Sequence, residues 1–114
     1  MAKNEKKKTD WKKTKAFREL MSSLEKSLDD RGLDEGAYTD KLQEYMDFWV
    51  LRQELKEDIE TRGLTVMDDR GRTSENRSIS LEIQVSRQML AIFTALGFKA
   101  DEKGTGVGGE DEKL

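Results

Sequence analysis

The feature that most constrains the fold is a glycine-bounded stretch between two long helical patterns. It opens with Gly63, and residues 64–67 have the β-branched content of a strand. Asp68 suits the start of a tight turn, and Gly71 suits a left-handed position at its end. The stretch therefore predicts a β-hairpin over residues 64–75, placed between two helices.

Two helices are expected before this hairpin. In the first, Asp10 is a candidate N-cap and Gly32 a candidate terminator, and apolar residues recur every three or four positions: Phe17, Leu20, Met21, Leu24 and Leu28. In the second, Asp34 is a candidate cap and the pattern continues to Thr61, a length of roughly 40 Å at about 1.5 Å per residue. Two helices joined at Gly32 are predicted.

The helix after the hairpin is apolar over more than half of its circumference. Asn76 or Ser78 can cap it, and Gly97 follows its last apolar residue. Its apolar residues form two adjacent stripes: Ile79, Ile83, Leu90 and Phe93 in one, and Leu81, Val85, Met89, Ile92 and Leu96 in the other. Burial on two sides is expected, the second side being covered by another subunit.

The predicted fold is mainly α: a three-helix core with a long central helix and a small β-hairpin before the last helix, assembled as an oligomer. Residues 1–9 are expected to be a flexible basic arm, 10–98 the helical core, and 99–114 a flexible acidic glycine-rich tail. Hydrophobic residues make up 34% of the 114-residue chain, below the roughly 45–50% of ordinary globular proteins. Partner copies are therefore expected to complete the core, through Trp49, Leu55, Ile59, Leu81, Val85, Met89, Ile92 and Leu96.

Charge is segregated along the chain. The net charge is −3, but the first 18 residues are strongly basic, whereas the rest of the chain is acidic. Such asymmetry indicates contact with nucleic acid or another acidic surface. The candidate DNA-binding residues are Lys6, Lys7, Lys8, Lys12, Lys13, Lys15 and Arg18. A solubilising tail is the other interpretation, and the residues alone leave both open.

Several function classes are not expected. The chain has no cysteine and no histidine, so it offers no thiol or imidazole chemistry and none of the usual zinc sites. We expect no enzyme activity, no catalytic residue, no metal and no cofactor. No apolar run approaches the ~20 residues needed to span a bilayer, so we expect no membrane partner and a cytoplasmic location, that of the host cell if the protein is viral.

The order of these elements resembles the core of phage-type terminase small subunits. The resemblance covers roughly residues 16–98. Its marks are Leu24, Leu28 and Gly32 in the first helix end, the aromatic helix 38–49, Arg-Gly-Leu-Thr at 62–65, Gly71, Asn76, and Ala-Leu-Gly at 95–97. The resemblance implies a DNA-packaging subunit without enzyme activity that forms a homo-oligomeric ring. It also implies binding to double-stranded viral DNA and recruitment of the large terminase subunit, which carries the ATPase and nuclease.

Two other functions fit a small helical chain. One is a DNA-binding transcriptional regulator, which needs a helix-turn-helix with a polar base-reading helix. The other is an oligomeric scaffold that does not contact nucleic acid. The hairpin arginines have two interpretations, a second DNA or large-subunit contact or solvated turn charges: Arg62, Arg70, Arg72 and Arg77. The acidic tail is a further candidate contact for the large subunit.

Overall fold

A computed structural model describes residues 9–98 and confirms the mainly helical architecture with one hairpin before the last helix. A 3-10 turn, Trp11–Lys13, leads into α1 (Lys15–Asp30), and α2 (Gly36–Arg62) follows. The strands β1 (Thr65–Met67) and β2 (Thr73–Glu75) then precede α3 (Ser78–Ala95). The predicted arm and tail, except for Thr9, lie outside the described residues.

Two predicted helix caps are wrong. Asp10 precedes the 3-10 turn and makes no side-chain cap, because α1 begins only after Thr14, whose hydroxyl accepts a hydrogen bond from Phe17 N at 3.1 Å. Asp34 is also not the cap of α2. Glu35 occupies that position without a side-chain cap bond. In both helices the N-cap therefore lies after the aspartate that the sequence suggests.

The helix ends follow the glycines. Gly32 and Gly97 both have positive φ, as a left-handed terminator requires. After α1, Leu33 N donates to Leu28 O, and after α3, Phe98 N donates to Phe93 O, the hydrogen bond that closes a glycine-terminated helix. These two ends meet, since Arg31 donates to Leu96 O at 2.8 Å and lies over the Phe98 ring.

The hydrophobic core lies in one half of the molecule. It joins the second half of α1, the first half of α2 and the end of α3 through Leu24, Leu28, Leu42, Met46, Ile92 and Leu96. Half-buried aromatic residues surround it, among them Tyr45 and Phe93, whose ring centroids are 6.0 Å apart. Burial raises the pKa of the Tyr45 phenol. In the other half, α3 packs beside α2.

The hairpin is antiparallel, with Val66 opposite Ser74 in its register. Its turn forms as expected: Asp68 Oδ1 accepts hydrogen bonds from Arg70 N and Arg72 N, and Gly71 has positive φ. The amide hydrogen bond from Arg72 holds the pKa of Asp68 below its usual value. Both strands lie within the predicted hairpin over residues 64–75.

Candidate nucleic-acid interface

The described part of the basic region, residues 9–18, is held against the body of the protein. We call these residues the basic segment. The basic segment bends at Thr14, because the Thr14 hydroxyl donates to Trp11 O at 2.7 Å and the Thr14 backbone is extended, with ψ of 156°. The 3-10 turn therefore leaves α1 at an angle and reaches α2.

Trp11 anchors the basic segment on α2. Its indole meets Trp49 edge to face, with ring centroids 6.0 Å apart, and its Nε1 donates to Glu57 Oε1 at 3.0 Å. Thr9 donates its hydroxyl hydrogen to Glu57 Oε2 at 2.7 Å. On its other side Trp49 meets Phe17 at 5.8 Å. Trp11 is therefore packed against α2.

The cationic side chains of the basic segment point into solvent. Lys12, Lys13, Lys15 and Arg18 are all exposed. Their ionic contacts are long: Lys13 Nζ lies 3.9 Å from Asp10 Oδ2, and Lys15 Nζ lies 3.6 Å from Glu19 Oε2. Exposed pairs of this kind are weak, so they leave the lysines available to contact phosphates. Arg18 also donates to Lys13 O at 2.7 Å, in an exposed hydrogen bond. The other predicted lysines, Lys6, Lys7 and Lys8, lie outside the described residues.

The rest of the described chain has the opposite charge. The basic segment has four basic side chains and one acidic, whereas residues 19–98 have ten basic and seventeen acidic ones. A polyanion approaching this molecule is therefore attracted by the basic segment and repelled elsewhere. Such a distribution limits where a duplex can bind.

The hairpin arginines divide into two pairs. Arg62 donates two hydrogen bonds to Asp58, at 2.7 and 2.9 Å, and Arg72 binds Asp68 at 3.1 Å. Arg70 and Arg77 are exposed and make no ion pair with any residue from 9 to 98. Arg62 and Arg72, two of the four arginines predicted to form a second DNA or large-subunit contact, are thus paired within the fold.

A polar junction connects α2, the hairpin and α3; we define it as Asp58, Arg62, Asn76 and Ser78. The Asn76 side chain is fully buried, donates to Asp58 and to Gly63 O, and accepts from Ser78 N. Asp58 also accepts from the Ser78 hydroxyl at 2.7 Å. Hydrogen bonds from Arg62, Ser78 and Asn76 hold the pKa of the Asp58 carboxyl far below its usual range.

The sequence predicts Asn76 or Ser78 as the cap of α3, but Arg77 occupies the N-cap position without a side-chain cap bond and Ser78 is the first residue of the helix. Asn76 acts instead as a buried connector just before the helix. Its Oδ1 does accept from the first amide of α3, and its own carbonyl accepts from Ile79 N. The remaining contacts join residues 13 to 18 positions apart, which local periodicity does not reveal. The one local signal is an Asp placed one helical turn before Arg62, the i, i+4 spacing of an ion pair.

The residues of the predicted subunit interface lie in several environments. Val85, Met89, Ile92 and Leu96 are buried within the chain itself. Trp49 is half-buried beneath Trp11, and the other three, Leu55, Ile59 and Leu81, are also half-buried. The most exposed large apolar residues of α3 are instead Ile83 and Leu90. The oligomer interface stays a prediction.

Neither a metal cluster nor a membrane span occurs in the described part of the chain. Within residues 9–98 no group of three or more Asp, Glu, His or Cys side chains could hold a metal ion. No helix in the same range is long and apolar enough to cross a bilayer.

Comparison with protein-family models, with curated proteins and with solved structures finds no match for this chain.

Proposed function

We propose that this protein binds duplex DNA through the basic segment and acts as the small subunit of a viral terminase. The observation that carries the proposal is the set of exposed cations at Lys12, Lys13, Lys15 and Arg18, held in one place by the contact of Trp11 with α2. Anchoring limits the freedom of these side chains before they meet DNA, which lowers the entropic cost of binding.

The expected mode of binding is contact with phosphates. Lysine and arginine neutralise backbone charge and release counterions, so affinity depends steeply on salt and little on sequence. The acidic remainder of the molecule keeps the duplex on the side of the basic segment. In an oligomer, several such segments act on one duplex, and their weak contacts add through effective concentration.

The packaging role rests on the resemblance in element order: an α1–α2 pair, a glycine-bounded hairpin, and a third helix that ends at Gly97. In that role the protein recognises viral DNA and recruits the large subunit, which supplies the ATPase and nuclease activities. The role of this chain is binding and regulation.

A duplex titration over a range of salt concentrations tests DNA binding. The variant Lys12→Gln/Lys13→Gln/Lys15→Gln should bind more weakly, and the slope of log K against log salt should fall by about 0.9 for each phosphate that the variant no longer neutralises. The matched control is Lys26→Gln/Lys41→Gln/Lys56→Gln, which removes three exposed lysines elsewhere and should bind close to wild type. Equal weakening of both variants, or none of the first, contradicts the proposal.

Binding to a purified terminase large subunit tests the packaging role separately. Retention of the large subunit by the immobilised protein supports it. DNA binding confined to a promoter, without such retention, favours the transcriptional regulator, and absence of DNA binding at low salt favours the scaffold.

A further inference from the structure

The solvent-facing side of α3 differs from that of the other two helices. On α1, seven of ten exposed residues are charged, and on α2 eight of fourteen, but on α3 only one of nine. We call these nine residues the outer face of α3: Ser80, Ile83, Gln84, Arg87, Gln88, Leu90, Ala91, Thr94 and Ala95. A helix surface that stays in water normally carries charges, so this face has the composition of an interface.

Two large apolar side chains stand on this face. Leu90 is 60% exposed and Ile83 is 45% exposed, and they are seven residues apart, two helical turns on the same side. Leu90 also borders a groove of about 240 Å³ between α2 and α3 that Tyr45 and Phe93 line. The outer face thus offers both a protruding leucine and an apolar depression beside it.

The charge of the outer face determines which partner fits. Arg87 is its single charge, too little for a nucleic acid, whose binding requires many phosphate contacts. The other charged residue of α3, Glu82, already binds Arg52 across to α2 at 2.7 Å. A complementary surface must be equally poor in charge, because a charged group covered without a partner loses its hydration.

Among the helices that the structure describes, only α3 presents such a surface. We infer that the outer face of α3 packs against the same face of a second copy of this chain. A two-fold contact of this kind is self-complementary and places identical patches together. Each Leu90 and Ile83 is then covered by low-charge helix surface, and Arg87, which lies between them on the helix, extends its guanidinium to solvent along its aliphatic stem.

This inference rests on the proposed function only in taking the protein to be a homo-oligomer. It adds which surface two copies share. A two-fold pair is closed, so any larger assembly is built from pairs through other surfaces. The predicted interface residues in the core half, Ile92 and Leu96, keep their intramolecular role. Self-association without DNA therefore tests the pairing independently of DNA binding.

The first experiment measures native mass in solution without DNA. The wild type should have a mass that is an even multiple of that of the 13.1 kDa chain, and Leu90→Glu should weaken association by about tenfold or more, because the carboxylate would be buried unpaired. The matched control is Leu64→Glu, since Leu64 is 68% exposed on the hairpin side of the molecule. A single-chain wild type, or equal association of wild type and Leu90→Glu, overturns the inference.

A mixing experiment identifies the partner as the same face. The chains Ile83→Glu/Leu90→Glu and Ile83→Lys/Leu90→Lys should each be monomeric and, by circular dichroism, helical like wild type. Mixed at low salt, they should recover the mass of a pair, because every Glu then meets a Lys in either helix orientation. Folded chains that remain monomeric in the mixture contradict the contact between two outer faces.

Discussion

At the scale of single residues, Asn76 connects the elements in the half of the molecule that lies away from the hydrophobic core. Its amide lies fully buried and is hydrogen-bonded on both sides, to Asp58 and Gly63 O through Nδ2, and to Ser78 N through Oδ1. A buried amide with all its partners specifies one arrangement, because any other leaves polar groups unpaired. One side chain thereby fixes how the hairpin meets both α2 and α3.

Asp58 makes this junction dependent on pH. Because its pKa in the folded chain lies below the ~3.9 of an unfolded aspartate, its ionised form stabilises the fold above about pH 4, and this stabilisation is lost as the pH falls further. Asp58→Asn should therefore lower the free energy of unfolding at pH 7 and lose less of it between pH 7 and pH 3 than wild type does.

Urea unfolding at both pH values measures this difference. Glu82, whose pKa is lowered by its hydrogen bond from Arg52, and Asp68 should leave a residual pH dependence in the variant. Asp69→Asn replaces an exposed turn carboxylate outside the junction and should keep the wild-type dependence. An Asp58→Asn chain with the same pH dependence as wild type would show that the junction does not act in this way.

At the scale of elements, glycine positions and apolar spacing were sufficient to predict three helices and a hairpin. They succeeded because positive φ at Gly32 and Gly97 ends helices locally. The cap predictions at Asp10 and Asp34 failed because an N-cap depends on where the backbone bends, and Thr14 makes that bend for α1. Contacts across 46 residues, such as Trp11 with Glu57, have no local signal.

The apolar stripes of α3 show a further limit of the sequence. Periodicity identified two stripes, but it could not tell which one faces α2. The structure buries Val85 and Met89 and leaves Ile83 and Leu90 exposed. The predicted subunit interface therefore includes residues that the chain itself buries, because periodicity does not give the packing partner of each residue. Only the contrast in charge between exposed helix surfaces distinguishes the two sides.

The anchoring of the basic segment gives a prediction at this scale. Trp11→Ala removes both the edge-to-face contact with Trp49 and the hydrogen bond to Glu57, and an aromatic pair contributes about 0.5–1.5 kcal/mol beyond its buried area. Trypsin should then cleave after Lys12 and Lys13 faster than in wild type, because a protease needs the chain locally released.

The matched control for this proteolysis is cleavage after Arg70 in the hairpin turn, a site far along the chain that the same variant should leave at its wild-type rate. Acceleration at both sites would indicate global destabilisation. Unchanged cleavage after Lys12 and Lys13 would mean that the Trp11 contact does not hold the basic segment.

At the scale of the whole molecule, two surfaces of different character account for the proposed behaviour. The basic segment is cationic, anchored and exposed, whereas the outer face of α3 is nearly uncharged and carries Leu90 and Ile83. The first suits phosphates and the second suits another copy. The outer face of α3 includes none of Lys12, Lys13 and Lys15, so in the proposed pair each chain would still present its basic segment. Two segments on one duplex would reinforce each other.

Sedimentation of the wild-type protein with and without a short duplex at low salt examines pairing and DNA binding together. We expect an even multiple of 13.1 kDa for the protein alone and, with DNA, a heavier complex that dissociates as salt is raised. A species of one chain whose mass is unchanged by DNA would contradict both the pairing and the binding of phosphates.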